Sequence, residues 1–409
     1  MAKYNYDKSA LKGLSIMDFL NQVKVRQSHI DAGSTDLPES VYGANRLAKE
    51  IHPEYIEGRI VKKIAAPAGG IFIIAPAKDK GFNELPPFRP GQYITVQLDM
   101  PDKTTRRNYC LTAAPSAAKG ERGFYQIVVA DHGPGHASEY ILNTWQEGTV
   151  IRFSAPSGEE YYEPIRDAHD VLVIGIGGPA MALCADVMEG NTDINLTAMA
   201  LIPIVAGLSL MEAYKVMEEK TGGKIRVVPV LLNGEAEGVE KGPVTADLLK
   251  RVMTDKETGE IKDMTVFVTC PEPICSMLEQ ELKKLGIPDK RIRKEPQGNE
   301  LPVFAMNSYP AERVVHQFNL KVWVHGECTE VTCSSDKTLA EAVEGAKIRL
   351  KTSCRSGHCG MCHSRLISGE YFTPETLDKR RAADRKFGWI HPCCTYPLSD
   401  MEIEVFPEA

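Results

Sequence analysis

The sequence predicts a multidomain protein in which a helical N-terminal extension precedes an antiparallel β-barrel, a parallel-sheet α/β unit and a cysteine-rich C-terminal domain. Three observations predict it. Short β-type runs separated by Gly, Pro and Asp fill the stretch after residue 56. Apolar strands then alternate with helical patterns from about residue 170. Five of the eleven cysteines crowd between Cys354 and Cys394. The chain has 409 residues, which is too long for one ordinary core, so about two to four domains are expected.

The elements divide as follows. Residues 1–55 are polar, with a short amphipathic helix read from Ser15 onward. Residues 56–165 carry the β-runs Ile60–Ile64, Ile71–Ile74, Tyr93–Leu98, Tyr109–Thr112, Phe124–Val129 and Val150–Phe153. Evenly spaced short strands of this kind close into a small barrel. Residues 166–296 alternate: strands at Val171–Ile174, Leu196–Leu201, Ile225–Leu231 and Thr265–Val268, helices at Ala182–Glu189, Leu210–Lys220 and Cys275–Leu285. Alternation predicts a parallel sheet covered by helices. Residues 297–318 read as a linker, and β-type alternation resumes in residues 319–409.

Composition narrows the function classes. The chain is 43% hydrophobic and 25% charged, with a net charge of −7. Phosphate binding wants a basic face, so a nucleic-acid partner is not expected. The longest apolar stretch, Ala198 to Leu210, is too short and contains Pro203 and Gly207, so no membrane span is expected. The first residues lack an apolar signal core, which predicts a cytoplasmic protein. An odd cysteine count crowded at one end points to a metal site rather than a disulfide framework.

The motif Cys354-Arg-Ser-Gly-His-Cys359-Gly-Met-Cys362 has the C-x4-C-x2-C spacing of a plant-type [2Fe–2S] centre. Three thiolates on one loop can wrap two irons only if a fourth comes from elsewhere. Cys393 or Cys394 supplies it. Successive side chains of an extended chain point to opposite sides, so one of the two should ligate. The alternative, a four-cysteine zinc site, would more often show two C-x2-C pairs. His358 and His363 read as loop residues, and Cys184, Cys275, Cys328 and Cys333 as small buried hydrophobes.

Several segments together resemble the flavin/[2Fe–2S] NAD(P)H reductases. His391-Pro-Cys-Cys-Thr-Tyr-Pro-Leu-Ser-Asp is similar to the ending of that family's ferredoxin domains and aligns Cys393 with the fourth ligand. Arg107-Asn108-Tyr109-Cys110-Leu111 resembles the flavin signature R-x-Y-[ST]-[LT], with Cys110 in place of Ser or Thr. The resemblance implies that Arg107 grips a flavin phosphate and that Tyr109 and Cys110 frame the ring. Asp131-His-Gly-Pro-Gly135-His-Ala-Ser138 resembles a phosphate-facing helix start, with Gly135 and Ser138 toward the cofactor.

The turn Gly175-Ile-Gly177-Gly178-Pro179-Ala180 is similar to the family's nucleotide turn, but Ala180 replaces its third glycine. Ala182-Leu183 stand where a Thr-Pro usually lies, and Cys270-Pro271-Glu272 stand for C-G-P. The resemblance implies an α+β β-grasp ferredoxin domain, FAD rather than FMN, and NAD(H) rather than NADP. Its site residues would be Gly177, Gly178 and Cys270 at the nicotinamide. Function is expected to be electron transfer from NADH through FAD to the cluster and on to a redox partner protein. Two alternatives remain: a subunit reduced by a partner protein because its nicotinamide site is degenerate, and a redox sensor.

Overall fold

The computed structural model describes residues 16–32, 47, 55–66, 68–176, 178–298, 302–306 and 308–406. It divides into two compact units, Met1–Pro53 and Glu54–Ala409. In the first, α1 spans Ile16–Ala32 and exposes Leu20, Val23 and Val25. The remainder of the fold belongs to the second.

Six strands open that unit: β1 (Ile56–Ala66), β2 (Gly69–Pro76), β3 (Tyr93–Asp99), β4 (Thr104–Cys110), β5 (Tyr125–Ala130) and, after helix α2 (Ala137–Thr144), β6 (Val150–Phe153). They form an antiparallel sheet in the order β4-β3-β6-β1-β2-β5. A bridge between Leu111 and Ile127 joins the two ends and closes the barrel. Strict alternation along β2 and β5 sends Phe72, Ile74, Tyr125 and Ile127 inward, where they pack on Phe153 and Trp145. The predicted strand Tyr109–Thr112 lies earlier, at Thr104–Cys110, because the polar run Thr-Thr-Arg-Arg pairs along the whole of β3.

The next layer begins with β7 (Asp170–Ile176), α3 (Met181–Met188), β8 (Asn195–Ile202), α4 (Met211–Lys220) and β9 (Ile225–Leu231). It continues with β10 (Glu240–Lys241), α5 (Ala246–Met253), β11 (Met264–Thr269), α6 (Glu272–Lys284) and β12 (Ile292–Lys294). All pairings in the sheet β10-β9-β8-β7-β11-β12 are parallel. Side chains of α3 and α4 cover one face, and those of α5 and α6 cover the other. Chain reversal falls between β7 and β11, so the carboxyl ends of these strands form the crevice where such sheets bind ligands.

The C-terminal part contains β13 (Gln317–Val324), β14 (Glu327–Ser334), α7 (Leu339–Gly345), β15 (Ser364–Ser368), β16 (Tyr371–Phe372), α8 (Ala382–Lys386), β17 (Trp389–Ile390), β18 (Tyr396–Pro397) and β19 (Met401–Glu404). A mixed sheet, β14-β13-β19-β15-β17, with β13 and β19 parallel, packs against α7 through Leu320, Val322, Leu339, Val343 and Ile403. Thr338 and Glu341 form a capping box that starts α7. This is the α+β layer on which the cysteine loop rests.

Candidate electron-transfer site

The cysteine loop follows α7 without regular structure. Gly357 has φ +73°, and a Cβ there would lie 2.2 Å from Leu377 O and 2.8 Å from Cys394 Sγ, so only glycine fits. Arg355 is also left-handed, at φ 53°. Its guanidinium is held by Glu344, at 2.5 and 3.1 Å. That bidentate pair on buried Glu344 offsets the cost of the backbone conformation.

The thiols come in two pairs. Cys362 and Cys393 Sγ atoms stand 3.3 Å apart. The Cys354 thiol accepts the Cys359 N–H at 3.3 Å and is brought down to about 6 by the adjoining Cys359 thiol, against the pull of desolvation. Among the described residues no group of three or more His, Cys, Asp or Glu side chains is gathered as a single ion would need. One thiol pair for each iron is the donor set of a binuclear cluster, and these residues fit it. Cys394 is fully buried and aims its thiol at the carbonyls of His391 and Leu377, at 3.5 and 3.8 Å. Cys359 is exposed. His363 stacks on Trp389 with centroids 4.1 Å apart, and His391 Nδ1 lies 3.1 Å from Gly357 O.

Flavin-motif residues meet this loop across one cavity of about 590 Å³. Arg107, Asn108, Tyr109, Gly135 and Ser138 line one side, and Cys354 and Cys393 line the other. Ser138 Oγ accepts the His132 N–H at 3.1 Å, which leaves its own proton to donate. Gly135 N–H is met by Glu139 at 2.8 Å. Among the described residues Arg107 donates only to neutral oxygens, Thr105 Oγ1 and, at 2.8 Å, Arg106 O. Burial, with Arg355 close by, lowers it to about 10, which marks a cation placed to take an anion.

A second cavity, about 640 Å³, shares Asn108, Tyr109, Ala130 and His132 with the first. Asn108, Tyr109, Cys110 and Thr112 face Gly178 and the end of β8, Ala200 to Ile204, across it. Its described lining holds no Lys or Arg. Burial, then Glu295 and Glu160, pushes the Cys110 thiol up to about 12, so it is a neutral thiol at ordinary pH.

Some expected residues stand elsewhere. Leu111 is fully buried in the barrel core, because it follows Cys110 and alternation turns it inward. Cys270 is 1% exposed and packs with Val268, Cys275 and Leu278 beneath the sheet's end. Pro271 starts α6 directly after it, and Cys275 Sγ donates to its carbonyl at 3.2 Å, which holds it below the cleft. Neither lines a cavity with the flavin motif. Gly177 lies outside the described residues. A Cβ on Gly178 would come within 3.0 Å of Thr112 Cγ2, and Ala182 is fully buried in the barrel core. The start of α3 is therefore pressed against the barrel.

Residues 295–298, read as the end of a domain and the start of a linker, instead tie three layers together. Gln297 Oε1 accepts Asn108 Nδ2 at 2.7 Å, and Gln297 N–H donates to Cys270 O at 2.9 Å. Gly298 N–H donates to Cys354 O at 2.7 Å, and Ser356 Oγ to Pro296 O at 3.1 Å. Glu295 accepts the Glu159 and Glu160 N–H groups, at 3.2 and 3.4 Å. A short Glu-Pro-Gln-Gly run offered no local pattern from which these contacts could be read.

Burial raises Glu295 to about 7. The raised carboxyl binds its proton more tightly in the folded chain, so its contribution to stability is complete below about pH 4.5 and is lost as pH rises through 7. Glu295→Gln is expected to flatten that loss. Melting temperatures of variant and parent, measured from pH 5 to 8, should diverge in the variant's favour toward pH 8. Parallel curves would show that Glu295 does not titrate in this window.

A closed barrel with a flavin signature, a parallel α/β layer and a cysteine-loop domain sharing one cavity define a modular flavin and iron–sulfur oxidoreductase. Comparison with known proteins agrees. Residues 83–162 match the oxidoreductase FAD-binding domain, and residues 323–398 match the 2Fe-2S iron-sulfur cluster binding domain. NADH oxidoreductase HCR of Escherichia coli is 22% identical over 77% of this chain and 88% of its own length. The ferredoxin reductase component of 3-ketosteroid-9-alpha-monooxygenase from Mycolicibacterium smegmatis is 25% identical over 76% of this chain and 85% of its own. Phthalate dioxygenase reductase shares the fold, with a TM-score of 0.58 at 19% identity, over 86% of this chain and 98% of that one. The chain is similar to the flavin/[2Fe–2S] NAD(P)H reductases, and its two matched domains are those for FAD and a [2Fe–2S] cluster, its cofactors.

Proposed function

We propose that this chain carries electrons from NADH through FAD to its [2Fe–2S] cluster and on to a redox partner protein. The observation that carries the reading is the shared cavity, lined on one side by Arg107, Tyr109 and Ser138 and on the other by Cys354 and Cys393. FAD supplies the exchange between two-electron and one-electron chemistry, and the cluster supplies one-electron transfer. The chain's own residues position and insulate. Arg107 and Ser138 hold phosphate, Tyr109 lines both cavities, and Cys354, Cys359, Cys362 and Cys393 hold iron. Exposed Cys359 and half-exposed Met361 give the partner its approach to the cluster. The domain limits at residues 56, 166 and 319 belong to this reading. So does a cytoplasmic setting: among the described residues no helix is long and apolar enough to cross a membrane, and a cluster of free thiolates suits a reducing compartment.

A second reading has specific support. Cys270 is buried away from the cleft, and the start of α3 is packed into the barrel. On that reading a partner protein, not nicotinamide, delivers the electrons. Anaerobic addition of NADH and, separately, NADPH decides between them. Rapid bleaching of the flavin band by NADH, followed by the cluster bands, is expected. No bleaching by either nucleotide, with dithionite still reducing both centres, would leave the second reading.

A further inference from the structure

A third cavity, about 750 Å³, opens beside the flavin cavity on the ferredoxin domain. Its walls are β14, from Val331 to Ser334, and α7, from Glu341 to Gly345. Among the described residues the barrel contributes only Lys103 and Arg107. Four residues, Lys103, Arg107, Glu341 and Arg355, line both this cavity and the flavin cavity, so the two adjoin at a junction of three cations and one carboxylate.

The carboxylates here are already engaged. Glu341 accepts the Thr338 N–H and hydroxyl, both at 2.8 Å. Glu344 accepts Arg355, and Asp336 accepts Ser334. Among the described residues no carboxylate pairs with Arg107 or with Lys337, which also lines the cavity. Arg107 and Arg355 are both partly buried and repel one another. Arg107, with no carboxylate of its own, beside Arg355 and Lys103 forms a seat for a polyanion. Beyond them the lining is mixed, with Gln317, Thr332, Ser334 and Lys337 beside Val315, Val331, Ala342 and Ala346. Its size is that of a pocket for a small organic ligand, about 300–1,000 Å³.

We propose that this cavity holds the adenylate half of FAD, with the pyrophosphate at the Lys103, Arg107 and Arg355 junction, so that the ferredoxin domain is itself part of the flavin site. The inference rests on the flavin reading of the neighbouring cavity. Cationic junction, a lining of mixed polar and apolar side chains, and the adjoining flavin cavity together match a flavin extended by a nucleoside diphosphate. Cluster and cofactor are then held by one element: α7 lines the adenylate cavity and, through Glu344, fixes Arg355 beside Cys354.

The test is made on the full-length protein stripped of flavin, with its cluster intact. FAD, FMN and ADP are titrated separately, flavins by fluorescence quenching and ADP by competition against FAD. FAD is expected to bind at least about tenfold more tightly than FMN, an advantage of about 1.4 kcal/mol, and ADP to compete. Ala342→Trp, which fills the cavity, should bring FAD affinity down to that of FMN and leave FMN affinity and iron content unchanged. Lys337→Glu, an exposed change on the rim, should weaken FAD and spare FMN, and it serves if the tryptophan variant does not fold. Equal binding of FAD and FMN, no competition by ADP, or equal loss of both flavins in the variants would overturn the proposal. Equal binding with NADH still reducing the cluster would overturn this inference alone; failure of NADH with FAD bound tightly would overturn only the donor assignment.

Discussion

Cys393→Ser protein purified anaerobically should lose most of its iron and the electron paramagnetic resonance signal of the reduced cluster, while it keeps bound flavin. Cys394→Ser should keep both iron and signal. The two residues are neighbours, yet their surroundings differ. Cys393 stands 3.3 Å from Cys362 and lines the cavity shared with the flavin motif. Cys394 turns to the carbonyls of His391 and Leu377 and is fully buried. Disturbing an outer-shell partner of a metal typically costs ~10–100-fold in affinity, and removing a ligand costs more. Reduction of a one-electron acceptor such as cytochrome c should fall at least as far in Cys393→Ser. Flavin bleaching by the donor should persist. The reverse pattern, iron lost from Cys394→Ser and retained in Cys393→Ser, would reassign the fourth ligand.

Arg107→Ala should weaken flavin binding by about 10–100-fold, the loss expected for one charge-assisted contact of ~1.5–3 kcal/mol. Arg107→Lys should recover part of it, since a point charge replaces a planar fork. Stability should move the other way. Without flavin, Arg107 is a partly buried cation lowered to about 10, facing Arg355 and, among the described residues, bonded only to neutral oxygens. Removing it should hold or raise the melting temperature of the flavin-free protein. Loss of flavin affinity with no loss of apo-stability is the signature of a cofactor ligand. A fall in both together would make Arg107 a structural residue.

Local chemistry was legible in the chain. The spacing of Cys354, Cys359 and Cys362 is a property of one loop, and the glycine at 357 is needed by that loop's own backbone conformation. Alternation in residues 69–76 and 125–130 placed the barrel strands, and Ile225–Leu231 is a strand as read. The choice between Cys393 and Cys394 was only partly legible. Sequence alternation says that they diverge, and a family resemblance chose one.

Contacts between distant segments decided the rest. Cys270 and Leu111 follow sequence motifs, yet packing beneath α6 and inside the barrel places both away from the cavities. Gln297 reads as linker and touches Asn108, 189 residues earlier. The adjoining cavities exist only because the barrel and the ferredoxin domain meet at Lys103, Arg107 and Arg355. The sequence by itself determined which elements form and which loop can take a cluster, because spacing and backbone conformation are local. Only the tertiary structure decided which of those residues face one another, because that depends on the packing of surfaces far apart in the chain.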